Sequence, residues 1–485
     1  GPPPGVVRFP GGYELEPLAP VERLDVGDGT PLTLGQVLSS TERHHPTILA
    51  ARRDLRAARG EHLAAEGAFD PQLAARGWAT PAGYYRWARA DVSLTQPTPI
   101  WGTEVYAGWR IGRPLDADED VDPGIPTYYR NHETLTGGEL RAGVRVPLWR
   151  DGPIDERRAR LWRAEHGVDA AARDVDATRL SIVYEGADAY WSWVSAGQKY
   201  LIAAWLLDLA ERRDDQVRAR AAAGAIPPVE ALENRRALLN RRQQLIRTRR
   251  ALEQAAISLS LYLRSPDGTP VLPRPDRVPV GPEPPAPLEV TLRDAIRRTI
   301  AEHPTLARYD ALVERQRVQT EYAESRFAPR IDVRLEGSVD LGGGNERQRT
   351  VYEEPTVQGS VLVELPLLFR EARGGIQEAR GELGALRQEA ELARNRVVTD
   401  VRDAWSAVRA ARQRYQATRQ TARVAAALAR AEMRRFELGA TELFIVNLRE
   451  QAAAEAAADL AEAIANLHVT HARWRAVTAQ TPSAP

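Results

Sequence analysis

Cysteine is missing from the 485 residues altogether. That excludes disulfides, thiolate metal sites, a cysteine nucleophile and a lipid-modified cysteine in the chain as given. Lysine is nearly missing: Lys199 is the single one among 66 basic residues, which reflects composition rather than chemistry. The 66 bases are matched by 66 acids, and with zero net charge and no basic domain nucleic acid is not an expected partner. Aromatics make up only 6% while the hydrophobic fraction is 43%, much of it alanine. Such small side chains suit helices packed closely along their length better than a thick globular core. No run of 18 apolar residues occurs, so no transmembrane helix is expected and a membrane role would have to come through strands. The start, Gly1-Pro2-Pro3-Pro4-Gly5, has neither a charged opening nor an apolar signal run and reads as processed or trimmed.

Catalytic signatures are lacking too: there is no Gly-rich phosphate loop, no His-Glu-x-x-His and no nucleophile elbow. His44, His45 and His303 flank prolines at helix bends without metal-ligand spacing and read as structural. Glu230 and Glu233 share a helix face in an arginine-rich stretch and read as surface ion pairs.

What is present is a duplication. Leu32-Thr33-Leu34, His45-Pro46-Thr47 and Phe69-Asp70-Pro71 recur as Val290-Thr291-Leu292, His303-Pro304-Thr305 and Phe327-Ala328-Pro329, at a constant offset of 258 residues. Each copy then reaches a Pro-Leu corner, Val146-Pro147-Leu148 and Leu365-Pro366-Leu367. Each ends in a long helical tract with a matched Arg-x-x-x-Gly-Ala, Arg220 to Gly224-Ala225 and Arg435 to Gly439-Ala440. The chain is therefore read as a tandem repeat of roughly 220 to 260 residues per copy.

The expected organisation is an extended arm over 1–30, a first repeat over 31–264, a Pro-rich linker over 265–288, a second repeat over 289–480 and a tail over 481–485. Thr33 is an N-cap candidate for a helix that runs toward Gly67, with a break at Pro46. Strands are expected within 73–147 and 330–366. Val105 to Ile111 and Glu139 to Val146 alternate apolar with polar or small residues, as do Arg330 to Glu336 and Val357 to Leu365. Period two over these lengths means strands with one charged and one apolar face. Polar loops are expected at 116–138 and 342–355. The first copy's insert is about 39 residues longer than the second's, and its extra segment, 73–96, is not assigned to an element. Beyond each corner lies a very long helix, near 153–222 and 373–437, which would span about 100 Å at 1.5 Å per residue. Each turns at its Gly-Ala and returns, near 229–263 and 443–479.

A soluble antiparallel sheet packed on a core would satisfy the strand pattern alone. Helices of that length cannot fold back to cap a small sheet, and a few strands leave two exposed edges. Closure in a membrane removes both problems.

Helix, Phe-x-Pro, strand pair, Pro-Leu corner and long helical hairpin, all duplicated over roughly 30–480, together resemble the TolC-like outer-membrane efflux family. The resemblance implies a mainly α fold with a membrane β-barrel: a trimer whose helices form a long α-helical barrel. Its 12-stranded β-barrel takes four strands from each protomer. It further implies a passive exit duct, not an enzyme, of a tripartite efflux or type I secretion system in a Gram-negative outer membrane. Its helices would lie in the periplasm, its partners would be a periplasmic adaptor and an inner-membrane transporter, and no cofactor would be bound. The alternative from another class is a periplasmic coiled-coil adaptor or scaffold.

On that resemblance the hairpin tips, Arg220, Gly224, Ala225, Arg435, Gly439 and Ala440, dock the adaptor; on residue type alone each glycine simply makes the turn between helices. Pro227-Pro228 has no counterpart in the second copy, so the tips should differ. Many family members carry aspartates just past the second glycine, whereas this chain has Glu442-Leu443-Phe444-Ile445-Val446-Asn447-Leu448. A partly apolar pore constriction is expected from Phe444, Ile445 and Leu448, with Glu442 near its mouth; packing against a neighbouring helix is the alternative. Tyr84, Tyr85, Trp87, Trp101, Tyr106, Trp109, Tyr128, Tyr129 and Trp149 crowd the first strand region, as a membrane interface or an ordinary core would require.

Overall fold

The computed structural model describes residues 7–8, 14–15, 18–27, 29–83, 86–115, 133–344 and 346–480. Tyr84, Tyr85, Tyr128 and Tyr129, most of the 116–138 loop and the 481–485 tail lie outside them. The chain opens with β1 (Val7–Arg8), β2 (Glu14–Leu15), α1 (Leu34–His44) and α2 (Pro46–Glu66). Four strands follow, β3 (Gln72–Thr80), β4 (Trp87–Pro97), β5 (Glu104–Pro114) and β6 (Gly138–Pro147), then the long helices α3 (Glu156–Ala222) and α4 (Pro228–Leu259). The second half runs α5 (Leu292–Glu302), α6 (Pro304–Ser325), β7 (Arg330–Leu341), α7 (Glu346–Tyr352), β8 (Thr356–Glu364), α8 (Arg370–Glu437) and α9 (Leu443–Val477). These divide into two compact units: one holds Gly1–Arg53, Asp174–Leu306 and Ala393–Pro485, the other Asp54–Arg173 and Ala307–Leu392.

In the first unit the repeated motifs are helix junctions. Thr33 caps α1, its hydroxyl accepting from Gln36 N–H at 3.2 Å while Gln36 accepts from Thr33 N–H at 3.1 Å, a reciprocal capping box. Thr291 caps α5 without the reciprocal bond, its hydroxyl accepting from Asp294 N–H at 3.2 Å. His45 and His303 end those helices in extended conformation, because the residue before proline is pushed out of the helical region. Each imidazole then caps the next helix: His45 Nδ1 accepts from Thr47 N–H at 3.3 Å, and His303 Nδ1 from Thr305 N–H at 3.2 Å. Burial lowers the pKa of both rings, which suits Nδ1 as a neutral acceptor.

The long helices pack along heptad seams. Trp193, Tyr200 and Leu207 of α3 recur every seventh residue and are buried, as are Leu238, Leu245, Leu252 and Leu259 of α4. On α8, Val397, Val401, Ala404, Val408, Ala411 and Tyr415 alternate steps of four and three and are all buried. This is the spacing of coiled-coil packing. Small residues thus dominate the α8 seam as composition suggests, while the α3 and α4 seams are built from Leu and aromatics. The proline-rich segment contains no α-helix, yet it is anchored: Val278 is fully buried, and Gly29 and Leu32 N–H groups donate to Asp276 and Arg277 carbonyls at 2.8 and 2.9 Å. His468 stacks on Trp191 with ring centroids 3.6 Å apart and lies 2.7 Å from the Glu283 carbonyl, to which its Nε2–H donates.

The second unit is organised by one antiparallel sheet with strands in sequential order, β3-β4-β5-β6-β7-β8. The resemblance implies four strands per chain; among the described residues this sheet has six, and the two additional ones come from the unassigned segment. In β3 the small residues Ala74, Ala75, Gly77 and Ala79 blur the alternation, and Ala and Gly carry little strand propensity. The loop expected at 342–355 also holds the short helix α7, seated by Gln348 donating to Glu133 at 2.6 Å.

Acid should weaken the first unit through His468, whose pKa burial lowers from 6.5 to about 4. Above pH 6.5 the ring is neutral folded and unfolded alike. Between 6.5 and about 4 the unfolded chain takes up a proton that the folded one refuses, so stability falls as pH drops through that window. Thermal melts followed by circular dichroism should show a falling midpoint from pH 7 to pH 4. His468→Asn, which keeps an N–H donor, should melt lower at pH 7 but lose less on acidification; an unchanged pH slope would rule His468 out as a source.

Candidate functional site

The Arg-x-x-x-Gly-Ala spacing is explained by the way each long helix ends. Ala225 N–H donates to Arg220 O at 2.9 Å and Gly224 N–H to Ala221 O at 3.1 Å; Ala440 N–H donates to Arg435 O at 2.8 Å and Gly439 N–H to Phe436 O at 2.9 Å. These paired bonds are the Schellman motif, which places the arginine three residues inside the helix end and the glycine at the left-handed position. Gly224 and Gly439 have φ of 72° and 71°. All six tip residues are exposed, and Arg435 additionally donates to its own turn at Ala440 O, 3.2 Å away. The tips differ on the far side of the turn: Pro228 opens α4 as its first helical residue, whereas Glu442 stands at the N-cap of α9 without a side-chain bond.

On α9 the residues after the turn separate by face. Leu443 and Val446 are buried with Val217, Ala221 and Ala231. Phe444 and Leu448, one turn apart, are 52% and 51% exposed, and Ile445 is half-buried between the two faces. Phe444, Leu448 and Glu442 face α4 across a groove of about 650 Å³ whose other wall includes Glu233, Ala237 and Asn240. Glu233 is paired with Arg236 at 2.8 Å on the exposed side.

Behind this face lies a buried charge cluster that the sequence analysis does not single out. Arg213 of α3 binds Glu450 of α9 at 2.7 Å, and Arg241 of α4 binds the same carboxylate at 3.2 Å. Arg213 also donates to Asn447 at 2.9 Å. Next to it Asp214 accepts from Arg235 and Asn234, each at 3.0 Å. Burial lowers the Arg241 pKa, and Glu450 opposes that shift. One carboxylate thus ties three helices together. The partners are more than 200 residues apart, so no local pattern could reveal them.

The sheet of the second unit has two chemically opposite faces, fixed by its register. One face carries rows such as Leu73, Leu94, Ala107, Ala142, Gly337 and Val357. Within the paired strands its only charged residue is Arg113, at the end of β5. This apolar face is uncovered: Leu73 is 74% exposed, Val357 75% and Val361 67%. The opposite face is laced with ion pairs. Arg141 reaches Asp91 at 2.6 Å across Gly108, which has no side chain to block it. Arg145 bridges Glu104 and Asp332, at 3.0 Å each. Tyr106 lies over Gly143 and donates to Glu336 at 2.6 Å; a Cβ at Gly143 would collide with that hydroxyl. The described aromatics divide accordingly. Trp109 sits on the apolar face and Tyr106 on the charged one, while Trp101 and Trp149 lie at the strand end marked by the β4–β5 turn.

Strands of 9 to 12 residues, apolar on one side and charged on the other, have the length and polarity of membrane-crossing barrel strands. With long heptad-packed helical hairpins in the same chain, they define an outer-membrane channel protein. The chain belongs to the outer membrane efflux protein family, matching it over residues 152–263 and 295–480. It is an exit duct for efflux across the outer membrane.

Its fold is similar to those of solved outer-membrane proteins. The Vibrio cholerae outer membrane protein VceC is 13% identical, with 92% of this chain and 96% of that one covered and a TM-score of 0.63. The Campylobacter jejuni CmeC channel is 11% identical, covering 98% and 94% at 0.63. The open state of the Neisseria gonorrhoeae MtrE channel is 16% identical, covering 98% and 98% at 0.62. No curated protein matches the chain. The adaptor alternative finds no support in these matches.

Two substitutions test the tip. Glu450→Gln leaves two buried guanidinium groups without a counter-charge and should cost about 3–5 kcal/mol, seen as faster amide exchange over 208–245. Gly439→Ala, held at positive φ, should cost only about 1 kcal/mol. Equal effects from both would mean that the charge cluster contributes no more than the turn.

Proposed function

We propose that three copies of this chain assemble into one continuous duct, with the sheets in the outer membrane and the helices in the periplasm. The repeats over 31–264 and 289–480 supply two similar but unequal halves of each protomer's helical wall. The duct is passive: it does no chemistry, and an inner-membrane transporter joined through a periplasmic adaptor supplies the energy and chooses the cargo. The single observation carrying this reading is the sheet whose apolar face is bare while its charged face is laced with ion pairs such as Arg141–Asp91 and Arg145–Asp332. Only lipid outside and water inside satisfy both.

The tips at Arg220, Gly224, Ala225, Arg435, Gly439 and Ala440 receive the adaptor. They are exposed, rigidly turned and follow one pattern twice. Phe444 and Leu448 form an apolar constriction, and Ile445, half-buried, backs them. Glu442 stands at the mouth as the only acid between Gly439 and Arg449. Repeated three times around an axis, such a ring resists wetting, and polar solutes cross it only when the helices part.

Planar-bilayer recording tests the constriction. The double variant Phe444→Ala, Leu448→Ala should raise single-channel conductance severalfold, while Glu442→Gln should change mainly the cation preference. Unchanged conductance in the double variant would show that the narrowest point lies elsewhere. In cells lacking their own duct, the wild-type chain supplied with a cognate adaptor and pump should restore drug resistance, and Gly439→Glu at the tip should abolish it without loss of protein from the membrane.

A further inference from the structure

The six-stranded sheet has a consequence for the pore that four strands would not. We infer that the β3–β4 hairpin belongs to the barrel wall and that the edge of β3 receives β8 of the neighbouring copy, giving an eighteen-stranded exit rather than a twelve-stranded one. This rests on the three-copy reading above.

Four features place the hairpin in the wall. First, β3 is paired to β4 over nine consecutive residues, Gln72↔Thr95 through Thr80↔Trp87, and β4 is paired to β5 along its whole length, so the sheet does not break where the additional strands begin. Second, both faces run through them in phase. Leu73, Ala75 and Gly77 extend the apolar face, while Arg76 opposes Asp91 on the charged one, and Asp91 is already tied to Arg141 of β6. A hairpin folded away from the wall would strand Asp91 and its arginine, or bare an apolar strip to water. Third, the two outer strands match: β3 and β8 are each nine residues long. An even number of antiparallel strands makes β8 of one copy antiparallel to β3 of the next. Fourth, every residue of β8 is exposed, and among the described residues neither outer strand has a partner on its free side. Lipid cannot bond those backbone groups, and a second copy can.

The wall's width follows from geometry. With strands about 4.8 Å apart and tilted about 40°, eighteen strands close at a backbone diameter of about 36 Å, against about 24 Å for twelve. The exit is thus about half again as wide, in the range where porin barrels hold an aqueous channel. The outer-membrane portion would then pass cargo too bulky for a twelve-stranded wall.

Because the chain has no cysteine, paired substitutions introduce the only thiols. Ala75→Cys in β3 would be combined in turn with Val357→Cys, Gly359→Cys, Val361→Cys and Val363→Cys in β8, and the protein oxidised in native membranes. At least one pair should yield disulfide-linked dimers and trimers on denaturing gels. Ala107→Cys in β5, combined with the same four, should yield none. Class averages of the unmodified detergent-extracted assembly by electron microscopy should show a barrel about 36 Å across between backbones. Linkage from Ala107→Cys alone, or a barrel about 24 Å across, would overturn the inference while leaving the three-copy duct intact. A monomer with no linkage in any arm would overturn both.

Discussion

The constraint on which the rest of this structure depends is the solvation of one sheet. Its apolar face is bare, its charged face is closed by ion pairs, and its two outer strands present unpaired backbone groups. Water tolerates the second of these but not the first or the third. Bilayer hydrocarbon tolerates the first but not the others. A closed wall with lipid outside and water inside meets all three, so membrane insertion and self-association are two halves of one requirement.

The helical unit answers a different demand. A wall around water cannot lean on a thick core, so cohesion comes from narrow seams. The heptad ladders of Trp193, Tyr200 and Leu207, and of Leu238 to Leu259, provide it along α3 and α4, and the finer Val and Ala ladder provides it along α8. Where the helices end, the Schellman turns at Gly224 and Gly439 satisfy the last carbonyls, and the Arg213–Glu450–Arg241 cluster fixes three helices just behind the exposed Phe444 and Leu448. The exposed apolar face of Phe444 and Leu448 is held from behind by charge. A small change in that cluster would be felt directly by the face in front of it.

Much of this was legible in the sequence because the duplicated signals are local. The His-Pro-Thr repeat encodes a helix end, a helix start and a ring nitrogen that caps it. The Arg-x-x-x-Gly-Ala repeat encodes the turn bonds themselves. Clean alternation in Arg330 to Glu336 gave β7. The β3–β4 hairpin was hidden because Ala75, Gly77 and Ala79 fill most apolar-face positions of β3, although Arg89, Asp91, Ser93 and Thr95 alternating with Ala90, Val92 and Leu94 were a signal available to be read. Helix α7 lay in a stretch whose polarity reads as loop. The buried cluster at the tips was not legible at all, since Arg213, Arg241 and Glu450 look like surface charges until three distant segments meet.

The most direct test is the mass and heat-modifiability of the full-length protein extracted in detergent. A compact particle near three times 53.7 kDa, keeping its β circular-dichroism signal until boiled and shifting on gels only then, is the result expected of a closed, membrane-embedded wall built from three sheets. A monomer or dimer, soluble without detergent and losing its β signal on mild warming, would contradict it.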